Sequence, residues 1–292
     1  MSKRYVGSIE SGGTKFVCAI GDEDLNIIDK VSFPTTTPEE TLAQTVAYFK
    51  NHELKVSAIA IASFGPVDIN VNSATYGYIT RTPKPNWSFF DLLGYIAQEI
   101  DVPITITSDV NGSVYGEYEL GVANGKQSAI YFTIGTGVGG GAIQDGVFIG
   151  GRSHSEMGHI FVRRHPADLD FPGICPFHGD CLEGVTCGPT IEARYGIKGE
   201  HLPQDHEIWD ILGYYVAQAA YTATLMFSPD VIIFGGSVSR PLVIEKAKGY
   251  FKEIMNDYVP TPPLDEYIVT TNMEDNSSAT VGCFALARNL VS

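Results

Sequence analysis

The sequence YVGSIESGGTKFVCAIG, residues 5–21, decides how the chain begins to fold. Its apolar residues predict one β-strand from Tyr5 to Glu10 and a second from Lys15 to Ile20. Between them, SGGT at 11–14 has the composition of a tight turn. The chain is therefore expected to open with a β-hairpin whose glycine N–H groups can approach a phosphate closely.

A second glycine turn between strands occurs in the other half of the chain. The sequence IGTGVGGGAIQDG, residues 134–146, follows a predicted strand from Ser128 to Ile134 and ends in an Asp-Gly turn. Two glycine turns in corresponding positions indicate a weak internal repeat and therefore a duplicated domain plan. Each turn alone is an ordinary hairpin, but the pair favours phosphate binding.

Strands and helices alternate along the remainder of the chain, which favours an α/β fold. Predicted helices lie at 38–51, 91–100, 207–226 and 277–290, and predicted buried strands at 58–62, 104–107 and 231–234. We place the domain boundary near residues 118–127 and expect an N-terminal domain at 1–120. The second domain is expected at 121–276.

The charge and the apolar segments of the chain exclude several classes of protein. A formal net charge of −15 opposes binding to nucleic acid or to an anionic membrane, because both attract basic surfaces. No stretch reaches the roughly 20 uncharged apolar residues that cross a bilayer, and the start is too polar for a signal peptide. We expect a cytoplasmic protein in which backbone N–H groups and a cation bind any nucleotide.

Residues 135–140 match the pattern G-x-G-x-x-G of dinucleotide sites. In such sites the glycines open a helix, whereas here they run into an apolar segment. No Walker-type G-x-x-x-x-G-K-[ST] loop occurs in the chain. A nicotinamide-dependent oxidoreductase is therefore the last of the alternatives, and phosphates are expected at the turns 11–14 and 135–137.

Asp109 directly follows a predicted strand, in a loop with Asn111 and Gly112. Open α/β sheets bind ligands at the carboxyl ends of their strands. A carboxylate in that place can accept the proton of a hydroxyl that attacks the γ-phosphate of ATP. The alternative interpretation is an ordinary aspartate in a turn.

The strongest local signal is Cys175-x2-His178-x2-Cys181 with His159 upstream. Two thiolates and two imidazoles complete a tetrahedral shell for zinc and leave no position for a catalytic water, so a structural zinc site is predicted. The alternatives are a disulfide between the two cysteines, which a reducing compartment disfavours, and a chance cluster. His165 is a candidate substitute ligand.

Two glutamates flank this zinc motif. Glu156 lies three residues before His159, and Glu183 lies two residues after Cys181. A loop held by zinc would place both carboxylates near one another, where they could bind the hydroxyl groups of a polyol. Each glutamate taken alone is more often a solvated surface residue.

Together these motifs resemble the ROK family of sugar kinases and repressors, especially its bacterial fructokinase branch. The segments that carry the resemblance are IESGGTKF at 9–16, SFGPV at 63–67, TPKPNW at 82–87, SDVNG at 108–112, the glycine turn at 135–141, EMGH at 156–159, the zinc quartet, CLEG at 181–184 and IIFGGSV at 232–238. They span nearly the whole chain in the order that the family has.

The resemblance implies two actin-like (ribonuclease-H-like) α/β domains with a cleft between them. It also implies that the terminal helix at 277–292 joins the first domain and that a zinc-bound loop at 156–184 lies in the second domain. It implies ATP-dependent phosphorylation of a hexose, most directly fructose to fructose 6-phosphate, with Mg²⁺ accompanying ATP. Asp109 is then the general base. The implied sugar contacts are Gly65, Asn86, Asp109, Glu156, His159 and Glu183.

The resemblance also implies the nucleotide contacts, which are Gly12, Gly13, Thr14, Lys15, Gly135, Thr136, Gly137, Pro189, Gly235 and Gly236. His159 is implied to serve twice, binding zinc through one ring nitrogen and sugar through the other. Glu10 stands where many relatives have aspartate, and His178 replaces a cysteine ligand.

Other functions within the family stay open at this point. A kinase for glucose, mannose or an N-acetylated amino sugar is the main alternative to a fructokinase. A sugar-sensing transcriptional repressor is less expected, because such repressors carry an N-terminal helix-turn-helix domain and the first strand here begins within a few residues of Met1. A homodimer is expected from the resemblance alone.

Overall fold

The computed structural model describes residues 3–273 and 277–292. The strands are β1 (Tyr5–Ser11), β2 (Lys15–Asp22), β3 (Ile27–Pro34), β4 (Val56–Ser63), β5 (Tyr78–Ile79), β6 (Phe90–Asp91), β7 (Ile104–Ser108), β8 (Ser128–Ile134), β9 (Val138–Gln144), β10 (Val147–Phe148), β11 (Val231–Gly235) and β12 (Ile268–Thr270). The α-helices are α1 (Pro38–Asn51), α2 (Leu92–Glu99), α3 (Asp109–Glu119), α4 (Leu182–Thr186), α5 (Gly188–Tyr195), α6 (Ile208–Phe227), α7 (Pro241–Met255), α8 (Leu264–Tyr267) and α9 (Ser278–Asn289).

The described residues fall into two compact units. Unit 1 comprises those within Met1–Asn124, Phe148–His154 and Met273–Ser292, and unit 2 comprises those within Gly125–Val147 and Ser155–Asn272. The domain boundary at 120/121 stays a prediction, since a compact unit is not by itself a folding domain. Within the described residues, no helix combines the length and the apolar character needed to cross a membrane.

Unit 1 is built on a five-stranded sheet in the order β3-β2-β1-β4-β7. The hairpin β1–β2 and its neighbour β3 are antiparallel, whereas β1, β4 and β7 run parallel. The register pairs Ser11 with Ser63 and Ser63 with Ser108. The three parallel strands therefore end level with one another, and the segments that follow them start at the same edge of the sheet.

Unit 2 has a second five-stranded sheet, in the order β10-β9-β8-β11-β12. Here β8 and β9 form the antiparallel hairpin, and β8, β11 and β12 run parallel. In both sheets, the first strand of the hairpin therefore also pairs with a parallel strand on its other side. This common plan agrees with the internal repeat that the two glycine turns indicate.

The structure differs from the sequence-based prediction at two functional segments. Asp109 is not in a loop but is the first residue of α3, because the Ser108 hydroxyl caps the helix by accepting the Asn111 N–H at 3.2 Å. The glycine turn predicted at 135–141 is shorter, since β9 already begins at Val138. The last three glycines of that segment are therefore strand residues.

Helices α3 and α9 of unit 1 are in backbone contact. A Cβ atom added to Gly116 would lie 1.9 Å from the Ser278 carbonyl oxygen, and one added to Gly282 would lie 1.9 Å from the Gly112 carbonyl oxygen. The Ser278 hydroxyl also donates to the buried Glu117 carboxylate at 2.7 Å. The C-terminal helix is thereby held tightly against the helix that begins with Asp109.

Replacing Gly282 by Ala is expected to lower the free energy of unfolding by about 1–3 kcal/mol, the usual effect of overpacking. Gly249 in α7 is the matched control, because no described atom outside its own helix lies within 4 Å of its Cβ position. Gly249→Ala should stabilise the helix by up to about 1 kcal/mol. Urea unfolding followed by circular dichroism measures both variants, and an unchanged midpoint for Gly282→Ala would contradict the close packing.

Candidate active site and metal centre

The turn between β1 and β2 presents exposed backbone at the edge where the parallel strands end. Gly13, Thr14 and Lys15 are exposed. The Gly12 N–H donates to the Lys15 carbonyl at 3.0 Å, and the Thr35 hydroxyl donates to the Gly12 carbonyl at 2.6 Å. Any side chain at Gly12 would come within 2.6 Å of the Lys15 carbonyl oxygen. Glycine is therefore required for this tight turn.

Asp109 lies at the same edge, one residue after β7. Its side chain is exposed, and Oδ1 accepts the N–H of Val110 at 2.9 Å. A carboxylate in this position can accept a proton from a nearby hydroxyl group.

Two further predicted sugar contacts belong to loops of unit 1. Asn86 is exposed and adopts a left-handed backbone conformation with φ of 68°. Its neighbour Trp87 is fully buried, and the Trp87 indole N–H donates to the Thr36 carbonyl at 2.9 Å. Gly65 follows β4, and an added Cβ there would lie 3.5 Å from His154. The buried indole thus anchors the loop that presents Asn86.

Glu10 stands near the end of β1, and its carboxylate accepts a short hydrogen bond from the Thr280 hydroxyl. Burial raises the pKa of Glu10 above its ordinary value, and the charge of Asp109 adds to that rise. The Thr280 hydrogen bond and the charge of Lys15 act in the opposite direction. A metal ion that contacts Glu10 directly would therefore have to offset the effect of burial.

In unit 2, the turn at 135–137 is hydrogen-bonded to two other segments, which contain the predicted nucleotide contacts Pro189 and Gly235-Gly236. The Gly188 N–H donates to the Gly135 carbonyl at 2.7 Å, which places Pro189 at the first turn of α5 beside this turn. The Val238 N–H donates to the Ile134 carbonyl at 3.0 Å. Gly236 has a positive φ of 86°, and a side chain there would come within 2.4 Å of the Ile134 carbonyl oxygen.

Two glycines allow the chain at 155–159 to lie directly on β9. An added Cβ at Gly158 would lie 1.9 Å from the Val138 carbonyl oxygen, and one at Gly140 would lie 2.8 Å from Met157. The Ser155 hydroxyl donates to the Gly140 carbonyl at 3.0 Å. The exposed Glu156 lies in this packed segment, so its backbone is held against the strand that follows the glycine turn.

Glu183 is half-buried in the first turn of α4. Its Oε2 accepts the Val138 N–H at 3.0 Å. The carboxylate therefore touches the chain where the glycine turn enters β9. Sequence reasoning assigned Glu183 to sugar only and missed this contact, because the two residues are 45 positions apart in the chain and no sequence pattern links them.

The four predicted metal ligands converge in unit 2. The ligand atoms of His159, Cys175, His178 and Cys181 all lie within 4.8 Å of one another. His159 Nδ1 lies 3.7 Å from Cys175 Sγ and 3.5 Å from Cys181 Sγ, and His178 Nδ1 lies 3.7 Å from Cys175 Sγ. The Nδ1 atoms of both histidines therefore face the thiols.

These separations fit a tetrahedral ion. Metal distances of about 2.3 Å to sulfur and about 2.0 Å to nitrogen give a tetrahedral S···N edge of about 3.5 Å. The observed 3.5–3.7 Å spacing is that of two ligands sharing one ion. Burial raises the pKa of the Cys181 thiol to about 11, so a bound cation would be needed to favour its thiolate. The cluster could hold a metal ion.

Comparisons with known proteins identify the family of this chain. The model of the ROK family matches residues 6–290. The chain belongs to the ROK family. It is 52% identical to a fructokinase from Streptococcus mutans over 99% of each chain, and 53% identical to a fructokinase from Lactococcus lactis subsp. cremoris over 98% of each chain.

A solved structure of the ROK family shows the same fold. The crystal structure of a ROK family glucokinase from Streptomyces griseus in complex with glucose and AMPPNP matches this chain with a TM-score of 0.78 and 23% identity. The match covers 99% of this chain and 100% of that one. The predicted family and the predicted α/β fold class are thus both confirmed.

A buried network of charged side chains stabilises the loop at 156–184, which carries the candidate metal ligands. Asp168 accepts two hydrogen bonds from Arg194, at 2.8 and 2.7 Å, and a third from the Tyr215 hydroxyl at 2.7 Å. Burial opposes ionisation of Asp168, but the bonds from Arg194 and Tyr215 prevail and hold its pKa below the ordinary value. Arg164 joins the network to Asp180, which precedes Cys181.

A cavity of about 540 Å³ lies in unit 2 where the turn after β11 leads into α7. The guanidinium of Arg240 lies 4.6 Å from the centroid of the buried Trp209 ring at this cavity. The lining residues are Gln204, Asp205, Trp209, Arg240, Pro241 and Leu242. The cavity is large enough for a nucleoside-sized group, and sequence reasoning did not identify its residues.

Asp168→Asn is expected to lower the stability of unit 2 by about 3 kcal/mol, because Arg194 would lose the charge of its buried partner. Asp170→Asn is the matched control, since Asp170 is exposed and its change should alter stability by less than about 0.5 kcal/mol. Thermal unfolding at pH 7 with metal supplied measures the difference.

The pH dependence of the Asp168 effect has a defined sign. Because the pKa of Asp168 is lowered in the folded protein, its stabilising effect is complete above about pH 4 and is lost as the pH falls further. The difference between the two variants should stay constant from pH 5 to pH 8. A difference that vanished at pH 7 would contradict the role of the network.

Proposed function

We propose that this chain phosphorylates fructose with ATP and releases fructose 6-phosphate and ADP. The observation that carries the proposal is its 52% identity to a fructokinase over 99% of both chains. The glycine turns and Asp109 supply the chemical groups that such a transfer needs. A cytoplasmic location and a homodimer belong to the same proposal, and the homodimer rests on family resemblance alone.

Asp109 is proposed as the general base. The oxygen of the sugar hydroxyl attacks the γ-phosphorus, the hydroxyl proton passes to the Asp109 carboxylate, and the bond from phosphorus to the β–γ bridging oxygen breaks. ATP brings Mg²⁺, which neutralises phosphate charge when bound. Phosphoryl transfer has a loose transition state, so alignment and N–H groups contribute more than proton removal.

The proposed hexose contacts follow the placement of polar side chains. In unit 1 they are Asp109, the exposed Asn86 and the backbone at Gly65. In unit 2 they are Glu156, Glu183 and the second ring nitrogen of His159. Because Nδ1 of His159 faces the thiols, Nε2 is the atom proposed to meet sugar.

The proposed nucleotide contacts are backbone groups. Residues 12–15 of unit 1 and residues 135–137 of unit 2 bind phosphates, because glycines without side chains let phosphate oxygens approach the backbone N–H groups closely. Pro189, Gly235 and Gly236 lie next to adenosine. Arg240, which lines the cavity together with Trp209, lies four residues after Gly236. This cavity is proposed to bind the adenine base.

Zinc is the proposed ion at the Cys and His cluster, and its role is structural. Two thiols with two imidazoles are the donor set that zinc prefers, and four protein ligands leave no open position. His159, Cys175, His178 and Cys181 would hold it. The ion would join the chain near Glu156 to the chain near Glu183.

An assay of ADP release with Mg-ATP tests the kinase and its substrate. We expect fructose to be preferred over glucose, mannose and N-acetylglucosamine, and Asp109→Asn to lower kcat by about 10²-fold or more. Asp101→Asn is the control, since the exposed Asp101 precedes the opposite end of the same strand. Near-normal turnover by folded Asp109→Asn protein would refute the base.

Glucose is the competing substrate that a specific observation favours, because the related Streptomyces griseus structure contains glucose. A preference for glucose in the same assay would keep the kinase and overturn the fructose assignment. Absence of turnover with every sugar, in protein that contains its metal, would favour a sugar sensor.

Metal analysis tests the zinc proposal. Purified protein is expected to contain about one zinc per chain, the content of a closed four-ligand site, and Cys181→Ser to lose most of it. Cys187→Ser is the control, because Cys187 is buried close by in sequence but is not among the four ligands. Equal zinc content in the two variants would contradict the assignment.

A further inference from the structure

The glycine turn of unit 2 is supported from outside at three points. The Ile134 carbonyl accepts the Val238 N–H, the Gly135 carbonyl accepts the Gly188 N–H, and the Val138 N–H is accepted by Glu183 Oε2 at 3.0 Å. Of these three supports, the first two come from backbone and the third comes from a side chain. The Glu183 carboxylate thus acts at the point where the turn enters β9.

We infer that Glu183 is a positioning residue for the phosphate-binding turn at 135–137, in addition to any contact with sugar. The inference rests on the proposed function, in which this turn binds the phosphates of ATP. It predicts that nucleotide affinity depends on the reach of the residue 183 side chain even when no sugar is present.

The carboxylate fits closely against the turn. A Cβ atom added to Gly137 would lie 2.9 Å from Glu183 Oε2. The same oxygen is 3.0 Å from the Val138 nitrogen. Glycine at 137 therefore makes room for the carboxylate, and the carboxylate in turn fixes the direction of the next N–H group.

The backbone that carries Glu183 is itself held firmly. The Leu182 N–H donates to the Ile160 carbonyl at 2.9 Å, and the Ile174 N–H donates to the Gly184 carbonyl at 3.0 Å. A side chain at Gly184 would come within 1.9 Å of the Gly179 carbonyl oxygen. The same segments carry the proposed zinc ligands. The backbone that holds the Glu183 carboxylate against the glycine turn is therefore rigid.

The charge of Glu183 cannot itself help to bind phosphate, because two like charges repel at close range. Its contribution to nucleotide affinity must therefore be geometric. An amide of the same length keeps an oxygen acceptor for the Val138 N–H and removes the repulsion. A carboxylate that is one methylene shorter keeps the charge but loses the reach.

Three substitutions separate reach from charge. Glu183→Gln should bind Mg-AMPPNP as well as the wild-type protein or better, whereas Glu183→Ala and Glu183→Asp should bind it about tenfold more weakly, the usual effect of losing a hydrogen bond to a charged group. Glu156→Ala is the matched control, because Glu156 is a proposed sugar contact from another part of the chain. It should leave the Kd for Mg-AMPPNP unchanged.

The experiment is isothermal titration of the metal-containing full chain with Mg-AMPPNP in the absence of sugar. Steady-state kinetics then give the KM for fructose, which should rise in all the variants, including Glu183→Gln. Rescue of nucleotide affinity by glutamine without rescue of the fructose KM is the result that a purely structural or purely sugar-binding residue would not produce. Metal content and thermal unfolding check that each variant is folded.

Two results would overturn the inference. One is wild-type affinity for Mg-AMPPNP in folded Glu183→Ala or Glu183→Asp, and the other is equal weakening in Glu183→Gln and Glu183→Asp. If Glu183→Ala does not fold, the inference is still tested by comparing the Kd for Mg-AMPPNP of Glu183→Gln with that of Glu183→Asp. A wild-type protein that neither binds Mg-AMPPNP nor releases ADP with any of the sugars would instead refute the proposed function.

Discussion

The level ends of the parallel strands are the constraint on which the candidate site of this chain depends. In unit 1 the register of β1, β4 and β7 aligns Ser11, Ser63 and Ser108, and neighbouring strands are about 4.8 Å apart. The glycine turn, Gly65 and Asp109 all follow these ends, so the sheet brings together groups separated by nearly a hundred residues in sequence. A shift of register by one residue would turn every side chain to the opposite face.

In unit 2, the loop at 155–184 is held both against the sheet and within itself. Glycines at 140 and 158 let the loop approach β9 at backbone distance, and the Asp168–Arg194 pair fixes its middle. The cluster of thiols and imidazoles then joins the two ends of the loop. Because the ion network does not use the candidate metal ligands, removing an ion bound at the cluster should loosen the ends of the loop more than its centre.

The sequence was sufficient for the fold class, the family and the residue types of the metal cluster, because each depends on local pattern. The glycine turns and the Cys-x2-His-x2-Cys spacing can be recognised without tertiary information. The start of α3 at Asp109 was missed because the Ser108 cap competes with a plausible turn at Asn111 and Gly112. The contact from Glu183 to Val138 and the pair of Asp168 with Arg194 could not be predicted, since they depend on how the loop packs on the sheet.

Hydrogen–deuterium exchange with and without Mg-AMPPNP and fructose tests the account most directly, because it reports on the backbone groups assigned to phosphate. The account predicts slower exchange at the amides of residues 13–15 and 135–137 and at the start of α3 when both ligands are present. Unchanged exchange in all three segments, in protein that turns over fructose and ATP, would show that the phosphates bind elsewhere and would contradict the assignment of the site.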